Sequence, residues 1–205
     1  MEKFVWPKND GKLFVNTGEY YEHAYFGWGN NECKYYGYIF GYKKAGDILS
    51  DSVMESQDIK KCDTLIFPVV FLYRQYLELE MKSIYKKFSG ENKESISSVI
   101  KDCSHSLLKI WNKIKPILNK YSKKEEKGDI ENVEKYIKQF HEMDKTSLTF
   151  RYSTDKNLNE VRDKASRINY RILKERMDEL EMFFDSVNYQ LAHETSLEKE
   201  FRSYN

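Results

Sequence analysis

Between Thr64 and Phe88 the apolar residues Val69, Val70, Tyr73, Leu77, Met81, Ile84 and Phe88 recur at spacings of three and four, the period of one helix face. Leu72, Tyr76 and Leu79 fill much of the opposite side. The segment therefore reads as a helix buried on nearly all sides, the middle of a bundle. Asp63 or Thr64 is placed to cap it, and Pro68 fits a first turn, where its missing N–H is not needed.

The same period predicts further helices. One covers about Asn31–Ser56 through Tyr35, Tyr36, Ile39, Phe40, Ile48 and Leu49, although Gly37, Gly41 and Gly46 interrupt it. A helix-interior glycine costs about 1 kcal/mol relative to Ala, so close packing on the central helix is the expected reason for all three. A polar connection is expected at Ser89–Ser98. The next helix is capped by Ser104, buries Leu107, Leu108, Trp111, Ile114 and Leu118, and is kinked or stopped by Pro116. Asp129 is expected to cap a helix ending near Met143, and a long last helix runs from about Asn159 to His193. The expectation is an all-α fold: an antiparallel helical bundle of four to five main helices over residues 31–205, preceded by an aromatic arm over residues 1–30. Trp6, Phe14, Tyr21, Phe26 and Trp28 of that arm are expected to pack onto the bundle, with base stacking as the alternative.

One polar strip interrupts the central helix. Arg74, Glu78 and Lys82 stand at i, i+4 and i+8, with Gln75 beside them. This is the ordinary pattern of a solvated, mutually paired helix edge. On a buried helix, however, charges must be paired or must line a cleft, because an unpaired buried charge costs several kcal/mol. The strip is thus the first candidate site.

Composition narrows the classes. The chain has 205 residues, 40% hydrophobic and 15% aromatic, enough for a real core. Its 34 Lys and Arg offset 33 Asp and Glu, so no overall field favours nucleic acid or an anionic membrane. Cys33, Cys62 and Cys103 form no CxxC pair, which argues against a disulfide framework or a local zinc site and for free thiols in a reducing cytoplasm. No membrane-spanning run and no signal core are read, so the expected location is cytoplasmic. P-loop, GxGxxG, HExxH and GxSxG motifs are absent, and neither a cofactor nor a metal is expected.

Two further stretches carry candidate chemistry. Eight lysines between Lys101 and Lys127 form the strongest local basic bias, from which Lys113, Lys120, Lys123 and Lys124 are the candidate nucleic-acid patch; the plain alternative is a solvated helix face. The loop DKTSLTFRYSTDKN, residues 144–157, holds Arg151, Tyr152 and Asp155 between two helices. Arg151 can bind a phosphate with two hydrogen bonds, or pin the loop by pairing with an acid on the central helix such as Glu78.

Taken together, YRQYLELEMK, HSLLKIW and FRYSTD resemble, in order and spacing over about residues 65–190, the HEPN family, the helical nucleotide-binding domains of higher eukaryotes and prokaryotes. Members of similar layout carry a Glu and a Lys on one helix, a His at the start of the next, and an Arg-Tyr-Pro-Asp loop. Ser153 replaces the proline here. The resemblance implies a helical bundle, often dimeric, with Glu78, Lys82, His105, Arg151, Tyr152 and Asp155 at the site. It also implies a toxin–antitoxin or anti-phage setting, and for active members metal-independent RNA cleavage by an Arg followed four to six residues later by a His.

That signature is missing: His23, His105, His141 and His193 lack the preceding Arg, and Lys135 before His141 is the nearest analogue. Three expectations follow. The first is binding of a nucleotide, an RNA or a partner protein at Arg74, Glu78, Lys82, His105 and the loop. The second is a ribonuclease with a non-standard site of Arg74, His105 and Arg151. The third is a structural interaction module. A homodimer is expected through the last helix, whose stripe Met177, Leu180, Phe184, Val187 and Leu191 looks too long for one bundle to cover.

Overall fold

The computed structural model describes residues 6–7, 9–26, 29–122, 127–145, 147–154, 157–158 and 167–203, and the chain divides into two compact units, residues 1–34 and 35–205. Among the described residues there are six α-helices and no strand: α1 Asn31–Ser56, α2 Ile59–Phe88, α3 Lys93–Cys103, α4 Leu107–Tyr121, α5 Lys127–Met143 and α6 Tyr170–Ser203. The fold is all-α, a helical bundle. None of these helices is long and apolar enough to cross a membrane.

In the first unit a 3-10 turn, Tyr20–Glu22, is closed by Glu19 N–H donating to Glu22 Oε2 at 2.8 Å. Trp6, Phe14, Tyr21 and Phe26 are all exposed, so the unit's own fold buries none of them; Trp28 lies outside the described residues.

α2 is the centre of the second unit, packed against α3, α4 and α6. Val69, Tyr73, Leu77, Met81 and Ile84 on it are wholly buried, as are Trp111 and Ile114 of α4 and Met177 and Phe184 of α6. Each such side chain contributes about 1.5–3 kcal/mol by leaving water. The helix starts earlier than its periodicity implies. Asp58, not Asp63 or Thr64, is the cap, accepting from Lys60 N–H at 2.8 Å, and Pro68 therefore lies inside the helix. Thr64, four residues before Pro68, turns its hydroxyl back onto Lys60 O at 2.7 Å.

Other boundaries also move. The expected connection at Ser89–Ser98 is mostly α3, capped by Asn92 accepting from Ser95 N–H at 2.9 Å, with Ile96 and Val99 packed on the core. Its first turn is polar because it faces water, which hid the helix from a reading by apolar period. Ser104 ends α3, and Ser106 caps α4. Pro116 does not stop α4, which continues to Tyr121. α6 begins at Tyr170, where Asn169 Oδ1 accepts from Ile172 N–H at 3.1 Å; the expected start at Asn159 lies outside the described residues.

The glycines of α1 divide. A Cβ on Gly46 would stand 2.7 Å from the Tyr73 ring, so α1 crosses α2 closely there, as its sequence implied. A Cβ on Gly41 would meet open space, so tight packing is not its reason. The α6 stripe is also corrected: Met177, Leu180, Phe184 and Leu191 are buried within one chain, which removes the ground on which a dimer was expected.

Candidate functional site

Three turns of α2 place Arg74, Glu78 and Lys82 one above another. The Arg74 and Glu78 side chains are 0% and 2% exposed and Lys82 13%, so this is not a solvated edge but a buried charge ladder. Glu78 lies between the two cations: Arg74 Nη1 donates to Oε2 at 3.1 Å and Lys82 Nζ to Oε1 at 2.7 Å. Burial by itself would raise the Glu78 pKa, but Lys82, His105 and Arg74 outweigh it and hold the carboxyl below its ordinary value.

His105 joins this ladder from the turn between α3 and α4. Ser104 there adopts φ 49° and ψ −119°, a conformation costing a non-glycine residue on the order of 1–3 kcal/mol. The strained turn sets His105 against α2 at two points. Its carbonyl accepts from Arg74 Nη2, and its ring Nδ1 lies 3.0 Å from Glu78 Oε1. A carboxylate has no proton to give, so Nδ1 carries the hydrogen and donates. In the neutral ring Nε2 is then an acceptor, and the side chain, 54% exposed, can meet a ligand.

The loop after α5 is anchored to the same arginine. Asp144 Oδ2 lies 3.4 Å from Arg74 Nε, while its Oδ1 accepts from Leu148 N–H at 3.0 Å and Thr149 N–H at 3.3 Å. One buried carboxylate thus folds the loop and ties it to α2. Burial pulls the Arg74 pKa down against the opposing pull of Asp144 and Glu78, and nearby Arg151 lowers it further. Arg151 Nε donates to Ser147 O, and its guanidinium lies 5.7 Å from the Phe71 ring centroid and 5.5 Å from that of Tyr152. Phe150, next to Arg151 in the chain, is buried, its ring 6.3 Å from Phe67, and Tyr152 is exposed.

Arg74, Glu78, Lys82 and His105, separate in sequence, are therefore brought together. Arg151 and Tyr152 ride on the adjoining loop, and Asp155 lies outside the described residues. The loop is not pinned by Arg151 pairing with Glu78, whose partners are Arg74, Lys82 and His105. The polarity is reversed: the loop supplies the acid, Asp144, and the helix supplies the arginine. Asp144 was missed because it opens a non-periodic stretch. Its backbone partners stand four and five residues on, beyond the usual reach of an Asx turn, so no local pattern marked it.

The lysine segment is less available than its composition implies. Lys113 is exposed on α4, but Lys120 Nζ donates to Tyr121 Oη at 2.6 Å and Glu198 Oε1 at 3.1 Å. Lys123 and Lys124 lie outside the described residues.

A second charged cluster joins α1 to α6. Asp47, Asp178 and Glu181 are close enough to share a cation, yet Lys43 Nζ already lies among them at 2.9, 2.7 and 3.0 Å. Burial would lower the Lys43 pKa, and the three carboxylates more than reverse this. The ammonium fills the role a metal would take.

Scans of family models, curated proteins and solved structures find no match to this chain.

Proposed function

We propose that the chain is a HEPN-like protein that binds a phosphate-bearing ligand, a nucleotide or RNA, at the His105 edge of the charge ladder. The observation carrying this reading is the double hold on His105, by its carbonyl to Arg74 and by its ring to Glu78. A surface residue whose backbone and ring are each held by a buried charge is preorganised for contact, so a ligand does not have to order it. The cations Arg74, Lys82 and Arg151 outnumber the carboxylates Glu78 and Asp144, which leaves the site attractive to an anion. Arg74 is a positioning residue in this reading. His105, Lys82 and Arg151 make the contacts, and exposed Tyr152 offers a stacking face. The setting in prokaryotic defence or a toxin–antitoxin pair rests on resemblance alone.

The Glu78–His105 bond favours a second reading, metal-independent RNA cleavage. Nε2 of His105 would take the proton of a ribose 2′-hydroxyl as that oxygen attacks the adjacent phosphorus, with Lys82 and Arg151 stabilising the phosphorane charge; the P–O5′ bond then breaks, leaving a 2′,3′-cyclic phosphate, and the departing 5′-oxygen takes a proton from water. Total RNA in excess chelator tests both readings. Binding that falls in His105→Ala at unchanged helicity supports the ligand site. Cleavage lost in His105→Ala and Glu78→Gln selects the enzyme. No binding and no cleavage by the native chain rejects both.

A further inference from the structure

We propose, resting on the reading of His105 as a phosphate site, that the same site takes an unpaired adenine, its edge read by the Gln75 amide and its face stacked on Tyr152. At 100° per residue, Phe71, Gln75, Glu78 and Lys82 fall within a sector of about 60° on α2, so Gln75 shares the face of the charge ladder. It stands one turn after Phe71 and one turn before Glu78. Its polar neighbours are engaged: Glu78 by Arg74, Lys82 and His105, and Arg151 by Ser147 O. Gln75 itself is half-buried, and among the described residues its amide forms no hydrogen bond. It offers one acceptor and one donor side by side.

That pair is complementary to adenine, whose N6 amino group donates to Oε1 while N7 accepts from Nε2. Guanine presents two acceptors on the same edge, O6 and N7, so the amide can satisfy one of them only. Cytosine and uracil have no N7.

The stacking half of the site lies on the loop. The Arg151 guanidinium is over the Phe71 and Tyr152 rings, 5.7 and 5.5 Å from their centroids, and Tyr152 remains 56% exposed. A cation against one face of Tyr152 leaves the other for a base, and unpaired bases are commonly held on such aromatic and Arg planes. Stacking accepts any base, so it supplies affinity and Gln75 supplies the choice. A base inside a duplex is already stacked on both faces, which restricts the ligand to an unpaired one. Gln75 and Glu78 are about 4.5 Å apart along the helix axis, so the base and phosphate of one nucleotide reach Gln75 and His105 together. An adenine nucleotide and an adenine within a single RNA strand share this chemistry.

Fluorescence anisotropy on the full chain tests the inference with hexa-adenylate, hexacytidylate and hexauridylate RNA, a hexamer of 7-deazaadenosine, and competition by AMP. Hexa-adenylate should bind about tenfold more tightly than the others, including the 7-deaza hexamer, which keeps the stacking face and has carbon in place of N7. Gln75→Ala should erase this preference by weakening hexa-adenylate alone. Tyr152→Ala should weaken every hexamer about tenfold and leave the preference in place. AMP that competes as strongly as hexa-adenylate assigns a mononucleotide as the ligand, and weaker competition assigns an RNA strand. Equal affinities among the hexamers, or a preference that survives in Gln75→Ala, overturn the adenine site; the phosphate site still stands if His105→Ala weakens all of them. Absence of binding by every probe overturns both.

Discussion

Arg74 holds His105 by its backbone carbonyl, while Glu78, one turn further along α2, holds it by its ring. Because the carbonyl bond does not depend on the side chain, Arg74 fixes the α3–α4 turn whatever residue occupies position 105. It also reaches the loop through Asp144, so one guanidinium ties three elements together.

Replacing it should therefore unlock the site and cost stability. Arg74→Met leaves Asp144 buried without its cation and takes one from Glu78, and breaking a buried pair in this way typically costs about 3–5 kcal/mol. Arg74→Lys should recover little of that, since an ammonium cannot span partners on three sides with the planar fork of Arg. Chemical denaturation measures both. A loss under 1 kcal/mol in Arg74→Met would show that the three contacts are incidental.

Glu78 should give the fold a specific acid sensitivity. Its pKa is lower folded than unfolded, where a Glu titrates near 4.3. The sign follows: its contribution is fully present above about pH 4.3 and is lost as pH falls through the lower folded value. Glu78→Gln should be less stable than the native chain at pH 7, with the gap narrowing steadily on acidification toward pH 3. A constant gap across that range would show that Glu78 ionisation is not linked to folding.

Much of this site was legible because its residues obey a helical period. Arg74, Glu78 and Lys82 share a face at any helix start, so the error in placing the cap at Asp63 or Thr64 rather than Asp58 did not disturb them. His105 was legible as a polar residue beside a helix start, although the cap proved to be Ser106 and not Ser104. Asp144 was not, because no period governs a loop, and its partners are backbone groups that any residue supplies. The burial of the ladder was equally hidden. Arg, Glu and Lys at four-residue spacing read the same on a surface as inside, and only the packing of α3, α4 and the loop around α2 decides between them.

Gly46 and Gly41 of α1 should respond in opposite directions. Gly46→Ala drives a Cβ into the buried Tyr73 ring, whose hydroxyl is fixed by Asp47 at 2.9 Å, so overpacking of about 1–3 kcal/mol is expected. Gly41→Ala meets nothing and gains the helix preference of Ala, up to about 1 kcal/mol. Thermal unfolding of the two variants should shift down and up respectively. A destabilised Gly41→Ala would mean that something approaches that face of α1 in solution.

Glu80 is the buried acid whose neutralisation should help. Burial raises its pKa, Asp185 and Glu181 push the same way, and Asn188 and Lys87 only partly oppose them. Asn188 Nδ2 donates to Glu80 Oε1 at 2.6 Å, whereas Asn188 Oδ1 is buried without a partner. A carboxylate cannot fill that need, but an amide can: Gln at position 80 would accept from Nδ2 and donate to Oδ1, closing a reciprocal pair. With the folded pKa raised, the native chain loses stability as pH rises from about 4.3 through that value. Glu80→Gln should therefore be more stable by about 1 kcal/mol at pH 8, a typical net hydrogen-bond contribution, and indistinguishable near pH 4. Denaturation midpoints at the two pH values decide the matter. Lower stability of Glu80→Gln at pH 8 would mean that the ionised carboxylate is held by cations strongly enough to outweigh its burial.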